Sequence, residues 1–110
     1  MEITQKKEGD VHIFSLKGQF DAHAAGEVEN KLNMITSQET QKLLIDMDGT
    51  EYISSAGLRV LLSVAKKIKN KEGTIKLCSL RPYVKEVFDV AGFTQIFKIY
   101  NTAQEAINSF

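Results

Sequence analysis

The chain has 110 residues, of which 43% are hydrophobic and 25% are charged, and its basic and acidic residues balance to a formal net charge of zero. This length predicts one domain around a single core, and the neutral balance argues against a nucleic-acid binder that relies on bulk electrostatics. Cys78 is the only cysteine, which excludes an intramolecular disulfide and favours an intracellular protein.

The start of the chain is polar and has no signal-peptide pattern, and no apolar run approaches the roughly 20 residues that a membrane span needs. We therefore expect a cytoplasmic protein.

Periodic apolar residues and turn signals predict elements in the order β-β-α-β-α-β-α-β-α. The predicted strands span residues 2–7, 11–17, 42–47, 74–78 and 96–100. The predicted helices span residues 22–38, 55–71, 82–91 and 103–110. Gly9 and Asp10 mark the turn of an opening hairpin, after which strands alternate with helices. This alternation predicts an α/β fold with a four- or five-stranded mixed sheet, mostly parallel and covered by helices.

Capping residues support the predicted helix boundaries. Asp21 and Thr102 precede helical patterns, and their side-chain oxygens can accept hydrogen bonds from first-turn N–H groups. Pro82 suits a first helical turn, and Gly92 is expected to stop the same helix. Gly73 is expected to end the second helix.

The most distinctive stretch joins the central strand to the second helix. A short acidic connection is predicted at residues 48–51, and Ser54 and Ser55 then open a helical pattern. The apolar face of this helix consists of Leu58, Leu61, Leu62, Ala65 and Ile68. Two hydroxyls therefore lie at a helix N-terminus, where backbone N–H groups and the dipole favour negative charge. A serine at this position can be only a cap, or it can be a phosphorylation switch.

The opposite face of the second helix is predicted to be a partner surface. If the leucines turn inward, Arg59 and Ser63 lie one turn apart on the outer face. Arginine commonly anchors interfaces, although plain solvation is the alternative. The helix ends in a lysine run, which indicates a solvated helix end that complements the dipole or else a site for an anionic partner. The run consists of Lys66, Lys67, Lys69 and Lys71.

Acidic residues are expected to gather near this helix start. Asp46 lies near the end of the apolar strand, and Asp21 lies in the earlier strand-to-helix connection. Because parallel strands share one carboxyl edge, we expect Asp21, Asp46 and Ser55 to converge there. An aspartate inside an apolar strand predicts a functional role or a buried hydrogen bond, since burying an unpaired carboxylate is costly. Asp48 is predicted to form a turn with Gly49, with a role in the site as the alternative.

Catalytic and metal-binding patterns are missing from the sequence. His12 and His23 are the only histidines, and they form no cluster with cysteine that is typical of a transition-metal site. The nucleophile elbow, the phosphate loop and the dinucleotide fingerprint are also missing. The sequence therefore favours a non-enzymatic protein with no metal and no cofactor.

Taken together, these segments resemble the STAS domains. The motifs are G-Q-F-D at residues 18–21, L-L-I-D at 43–46 and Y-I-S-S-A-G-L-R-V-L-L at 52–62. The chain is most similar to the stand-alone bacterial anti-sigma factor antagonists, and the resemblance extends over residues 1–110. It implies a single STAS domain with a STAS-type fold.

The resemblance also implies a partner-switching function. In that family the unmodified antagonist binds an anti-sigma factor that is also a serine kinase, and binding frees the sigma factor for transcription. The kinase phosphorylates a serine at the start of the second helix, and the modified antagonist lets go. A serine phosphatase resets it, and neither nucleic acid nor a membrane is a direct partner.

The chain departs from the family at the acceptor position. Sporulation and stress-response members carry the acceptor hydroxyl directly before glycine, whereas here Ala56 precedes Gly57, and Ser54 replaces the family's aspartate. The resemblance then implies Ser55 as the acceptor, with Ser54 as the second choice. The residues expected to line the site are Asp21, Asp46, Ala56 and Gly57, and those expected to bind the partner are Arg59 and Ser63. The alternatives are a nucleotide-binding STAS protein and a constitutive scaffold without phosphorylation.

Overall fold

A computed structural model describes residues 1–38 and 42–110 of the chain. The strands are β1 (Glu2–Glu8), β2 (Val11–Phe20), β3 (Lys42–Ile53), β4 (Thr74–Cys78) and β5 (Lys98–Tyr100). The helices are α1 (Ala22–Thr36), α2 (Ser55–Asn70), α3 (Pro82–Ala91) and α4 (Ala103–Ser109), and a short 3-10 segment covers Phe93–Gln95. The predicted order of elements is confirmed.

The strands form one mixed sheet in the order β1-β2-β3-β4-β5. β1 pairs antiparallel with β2, and the other neighbours pair in parallel. Each helical connection between parallel strands therefore advances one position in the same direction across the sheet. Because such connections are right-handed, α1, α2 and α3 all pack on the same face.

Apolar side chains form two buried clusters of different size, one on each face of the sheet. The larger core lies under α1, α2 and α3, and its largest fully buried members include Phe14, Phe20, Leu32, Leu61 and Phe88. The smaller cluster lies under α4 and consists of Val11, Ile13, Leu44, Cys78 and Ala106. α4 therefore covers the face that the other helices leave open.

A buried lysine holds the end of α4 against the sheet. Lys76 is only 6% exposed, and its Nζ donates hydrogen bonds to the carbonyl and the hydroxyl of Ser109, both at 2.8 Å. The same ammonium group lies 4.7 Å from the ring centroid of Phe110 and 5.4 Å from that of Tyr100. These contacts satisfy the buried charge with a helix-end carbonyl and two aromatic faces.

Strands β2 and β3 continue several residues beyond their predicted ends, and β1 continues one residue beyond its own. The predicted break at residues 18–21 and the predicted acidic connection at 48–51 are wrong, because β2 continues to Phe20 and β3 continues to Ile53. Gly18 takes a positive φ of 111° inside β2 and does not end it. The register shifts twice along this pair, and each shift inserts an extra residue in β3.

The side chains around the first shift explain why β3 continues. A Cβ atom on Gly49 would lie 2.9 Å from the Lys17 Cβ, so the two strands approach more closely than a side chain at residue 49 allows. The buried Thr50 hydroxyl donates to the Leu16 carbonyl at 2.9 Å and ties the same two strands together. The predicted turn of Asp48 with Gly49 is therefore a strand irregularity.

The remaining differences lie at element ends. α1 ends at Thr36, two residues before its predicted end, and β5 begins at Lys98 because a 3-10 segment precedes it. After α2, Glu72 rather than Gly73 takes the left-handed conformation, with φ 59°. The Gly73 N–H then donates to the Ile68 carbonyl at 2.8 Å. Across the described residues, no helix has the length and apolar character that a bilayer span requires.

Candidate functional site

Two helices begin side by side at the paired ends of β2 and β3. Phe20 and Ile53 are register partners, and Asp21 and Ser54 directly follow them. Asp21 and Ser54 both have an extended backbone and are the N-cap residues of α1 and α2. The Asp21 carboxylate accepts a hydrogen bond from the Ala24 N–H at 3.0 Å. The Ser54 N–H donates a hydrogen bond to the Phe20 carbonyl at 3.0 Å, which joins the β2–α1 connection to the β3–α2 connection. The caps of α1 and α2 therefore lie next to each other.

The two serines at the start of α2 have different environments. Ser54 is half-buried, and its hydroxyl accepts a hydrogen bond from the Gly57 N–H at 3.3 Å. Ser55 is the first residue of α2, and its side chain is exposed. Within residues 1–38 and 42–110, no side-chain hydrogen bond holds the Ser55 hydroxyl. Ser55 thus offers the more accessible oxygen of the two.

Small residues let α2 start close to the sheet. Ala56 is half-buried and Gly57 is buried. A Cβ atom on Gly57 would lie 2.9 Å from both the Ile53 Cγ1 and the Phe20 carbonyl oxygen. Real Cβ contacts are longer than this, so the approach of the helix to β2 requires glycine. The backbone of the first turn is therefore held in place by packing as well as by the Ser54 cap.

The outer face of α2 carries the residues predicted for a partner. Leu58 and Leu61 are buried and Leu62 is half-buried, so the helix turns its leucines toward the sheet. Arg59 is exposed, and Ser63 is half-buried one turn further along. Arg59 and Ser55 lie on the same side of the helix because they are four residues apart.

Asp46 does not lie with Ser55, so the predicted convergence of three residues is wrong. Asp46 pairs with Ser15, whereas Ile53 pairs with Phe20, and five residues of β2 cover about 17 Å at ~3.4 Å per residue. The Asp46 carboxylate instead accepts a hydrogen bond from the Asp48 N–H at 3.0 Å. Of the two aspartates expected at the helix start, only Asp21 lies there.

Asp46 belongs to a polar groove that runs over β1, β2 and β3 near the start of α3. Lys17, Asp48 and Arg81 also line this groove. The Arg81 Nε donates to the Asp48 carbonyl at 2.9 Å, which ties the start of α3 to the irregular part of β3. The sequence did not single out Arg81, and no local pattern connects it to a residue 33 positions earlier in the chain.

Cys78 lies beside Asp46 in the β3–β4 register and is completely buried. Burial raises the pKa of its thiol to about 12, and the nearby carboxylate of Asp46 acts in the same direction. A thiol with such a pKa is not a nucleophile at neutral pH. Among the described residues, no group of His, Cys, Asp or Glu is arranged to hold a metal ion.

Comparisons with known proteins identify the same fold and family. The sequence model of the STAS domain family matches residues 2–106 of the chain. The chain is 36% identical over 110 residues to BtrV of Bordetella bronchiseptica, named as a candidate anti-sigma factor antagonist, and the match covers 100% of this chain and 95% of that protein. It is 27% identical over 105 residues to the anti-sigma-B factor antagonist of Listeria monocytogenes, covering 96% of this chain and 91% of that one.

A solved structure from Thermotoga maritima, described as a candidate anti-sigma factor antagonist, superposes with a TM-score of 0.93. That structure is 23% identical in sequence, and the match covers 97% of this chain and 92% of that chain. The family model spans nearly all of the described strands and helices, and the BtrV match extends over the whole chain. The chain therefore belongs to the STAS domain family.

Proposed function

We propose that this chain is an anti-sigma factor antagonist that switches partners through phosphorylation of Ser55. The observation that carries the proposal is the exposed hydroxyl of Ser55 at the first position of α2, beside a Ser54 hydroxyl that already caps the helix. The names of BtrV and of the Listeria antagonist support the antagonist role. In this proposal the chain is a non-enzymatic, cytoplasmic regulator of transcription.

The proposed partners are an anti-sigma factor with serine kinase activity and a serine phosphatase. The unmodified chain binds the anti-sigma factor and thereby frees a sigma factor. Exposed Arg59 lies one turn from Ser55, so both side chains fall within one docking surface on α2. Ser63, one further turn along, extends this surface.

The charge of a phosphate provides the switch. Phosphorylation of Ser55 would add roughly −1.5 to −2 charges at pH 7. The α2 N-terminus would favour this charge by ~0.3–1 kcal/mol at an exposed position. The Asp21 carboxylate, which caps the adjacent helix, opposes it. Since these effects offset each other at the surface, we expect the fold to persist.

The interface responds differently from the fold. A partner packed over the start of α2 would have to desolvate the new dianion next to Asp21, and an unpaired buried charge costs several kcal/mol. A loss of ~3 kcal/mol lowers the affinity more than a hundredfold, which is enough to exchange one partner for another. The proposed switch therefore changes association with little internal rearrangement.

Three variants test the acceptor. Ser55→Ala should bind the anti-sigma factor persistently and incorporate no phosphate, and Ser55→Asp should bind weakly. Ser54→Ala should still be phosphorylated, with some loss of stability because its cap is removed, typically ~1 kcal/mol. The kinase is first identified by co-purification with the chain and mass spectrometry. Phosphate incorporation from ATP and the affinity for this kinase are then measured for each variant.

The alternative results have definite meanings. Phosphate lost in Ser54→Ala but retained in Ser55→Ala would move the acceptor to Ser54. Phosphate retained in both would reject this site, and a wild-type chain that binds the kinase without ever being modified would be a constitutive scaffold. An Arg59→Ala variant with unchanged affinity would remove Arg59 from the docking surface.

A further inference from the structure

Helix α2 has an unusual charge composition. It contains four cations, Arg59, Lys66, Lys67 and Lys69, and no acidic residue, although the whole chain is neutral. A solvated helix face normally mixes both signs, because opposite charges three or four residues apart stabilise a helix and like charges destabilise it. Lys67 and Lys69 lie in the last turn, where cations complement the helix dipole, whereas Arg59 and Lys66 lie outside it and need another explanation.

Packing between helices accounts for part of this charge. The Lys67 Nζ donates to the Asn33 Oδ1 at 2.7 Å, and the Nζ of Lys71, just beyond the helix, donates to the Thr36 carbonyl. Both lysines join the end of α2 to the end of α1, where cations complement the helix dipole. These two lysines have a structural role.

Three other cations on α2 have no such contact. Arg59, Lys66 and Lys69 are exposed, and we name them the basic stripe. In the part of the chain that the structure describes, the ion pairs within 4.0 Å all lie elsewhere, between Lys17 and Glu2, Lys31 and Glu27, and Lys42 and Asp10. The charges of the basic stripe thus remain available to a partner.

The basic stripe continues the face on which Ser55 lies. At 3.6 residues per turn, Ser55, Arg59 and Lys66 fall within about 40° of one another around the helix axis. Lys69 lies roughly 60° to one side of Lys66. The distance along the axis from Ser55 to Lys69 is about 21 Å at ~1.5 Å per residue. One elongated surface therefore joins the proposed acceptor to three cations.

We infer that the basic stripe docks on an acidic surface of the anti-sigma factor and steers its association. This inference rests on the proposed function and names the chemistry of the partner surface. Phosphate on Ser55 would cancel roughly half to two thirds of the three positive charges of the basic stripe. The modification would then slow the approach of the partner as well as weaken the final contact.

An acidic protein fits the basic stripe better than nucleic acid does. A nucleic-acid-binding domain carries a basic excess overall, whereas this chain has a net charge of zero. The outer side of α2 also presents no aromatic side chain for base stacking. The basic stripe is local, and local complementarity mainly raises the association rate between two proteins.

The test compares two charge reversals of equal size. Lys66→Glu with Lys69→Glu alters the basic stripe, and Lys6→Glu with Lys7→Glu alters two exposed lysines of edge strand β1 as the matched control. Association and dissociation rates are measured by stopped flow with the purified anti-sigma factor, from low salt to about 0.15 M. Circular dichroism verifies that both variants are folded.

The expected result is specific to the basic stripe. Its reversal should lower the association rate about tenfold or more at low salt and flatten the salt dependence, with little change in the dissociation rate. The β1 reversal should leave the rates near those of the wild type. Equal effects of both reversals, or no effect of either, would overturn the inference while leaving the Ser55 switch intact.

Two further outcomes separate the hypotheses. Failure of the wild-type chain to bind the anti-sigma factor would reject the proposed function and the inference with it. The wild-type chain could instead bind duplex DNA and lose this binding on reversal of the basic stripe, while its association and dissociation rates with the anti-sigma factor stay unchanged. That result would assign the basic stripe to nucleic acid and overturn the inference.

Discussion

Replacing Gly57 with alanine tests how closely the start of α2 packs against the end of β2. The added Cβ atom would lie 2.9 Å from the Phe20 carbonyl oxygen and 3.1 Å from the Phe20 Cδ1. The carbonyl cannot move away freely, because it accepts the hydrogen bond from the Ser54 N–H at 3.0 Å. Relief of the clash therefore requires α2 to shift or this hydrogen bond to lengthen.

The expected cost of the substitution follows from three contributions. Overpacking in a close-packed site costs ~1–3 kcal/mol, and weakening one backbone hydrogen bond adds up to about 1 kcal/mol. Alanine in place of glycine in a helix contributes about 1 kcal/mol in the opposite direction. Gly57→Ala should therefore lower the free energy of unfolding by about 2 kcal/mol, or Tm by about 10 °C for a chain of this size.

Gly26 provides the matched control. It lies within α1, and a Cβ atom added there has no neighbour within 4 Å. Gly26→Ala should raise the free energy of unfolding by about 0.5–1 kcal/mol, because the same gain in helix propensity meets no clash. Urea and thermal denaturation followed by circular dichroism would measure both variants. If Gly57→Ala were as stable as Gly26→Ala, the close packing described for the helix start would be wrong.

Two further substitutions address the face of the sheet under α4. Because burial raises the pKa of the Cys78 thiol to about 12 from an ordinary 9.0, only the unfolded state loses the proton above pH 9. The wild-type free energy of unfolding should therefore fall as the pH rises from about 9 toward about 12, and a Cys78→Ala variant whose stability fell equally would contradict this. Lys76→Ala should cost ~1–3 kcal/mol through its lost hydrogen bonds to Ser109. Amide hydrogen exchange should then be faster in α4, and unchanged protection there would show that Lys76 does not hold the helix.

The order of elements could be predicted from the sequence because each helix carries its own periodicity and cap. Asp21, Ser54 and Thr102 all accept a first-turn N–H, and Gly92 takes a left-handed conformation after α3. These signals depend on residues close together in the chain, so local physics determines them. The family resemblance in the sequence rested on local motifs as well, at residues 18–21, 43–46 and 52–62.

The lengths of β2 and β3 could not be predicted in this way. Gly18 and Gly49 are strong local signals for a turn, but both lie within paired strands. The pairing depends on a contact between strands far apart in sequence, such as the Thr50 hydroxyl with the Leu16 carbonyl. The prediction ended β3 at residue 47, one residue after Asp46, whereas the strand continues to Ile53. Asp46 was therefore wrongly expected at the carboxyl edge of the sheet.

The chain-order arrangement of the sheet has a consequence for biosynthesis. Each new strand pairs with the strand made just before it, so a nascent chain can extend the sheet at one edge as it leaves the ribosome. α4 is the exception, because its Ala106 packs with Val11 and Ile13 of β2, which precede it by more than 90 residues in the chain. Until α4 emerges, the apolar patch around Leu44 and the ammonium group of Lys76 remain uncovered. A chain cut before residue 103 would therefore retain the residues of all five strands but leave this face of the sheet without its helix.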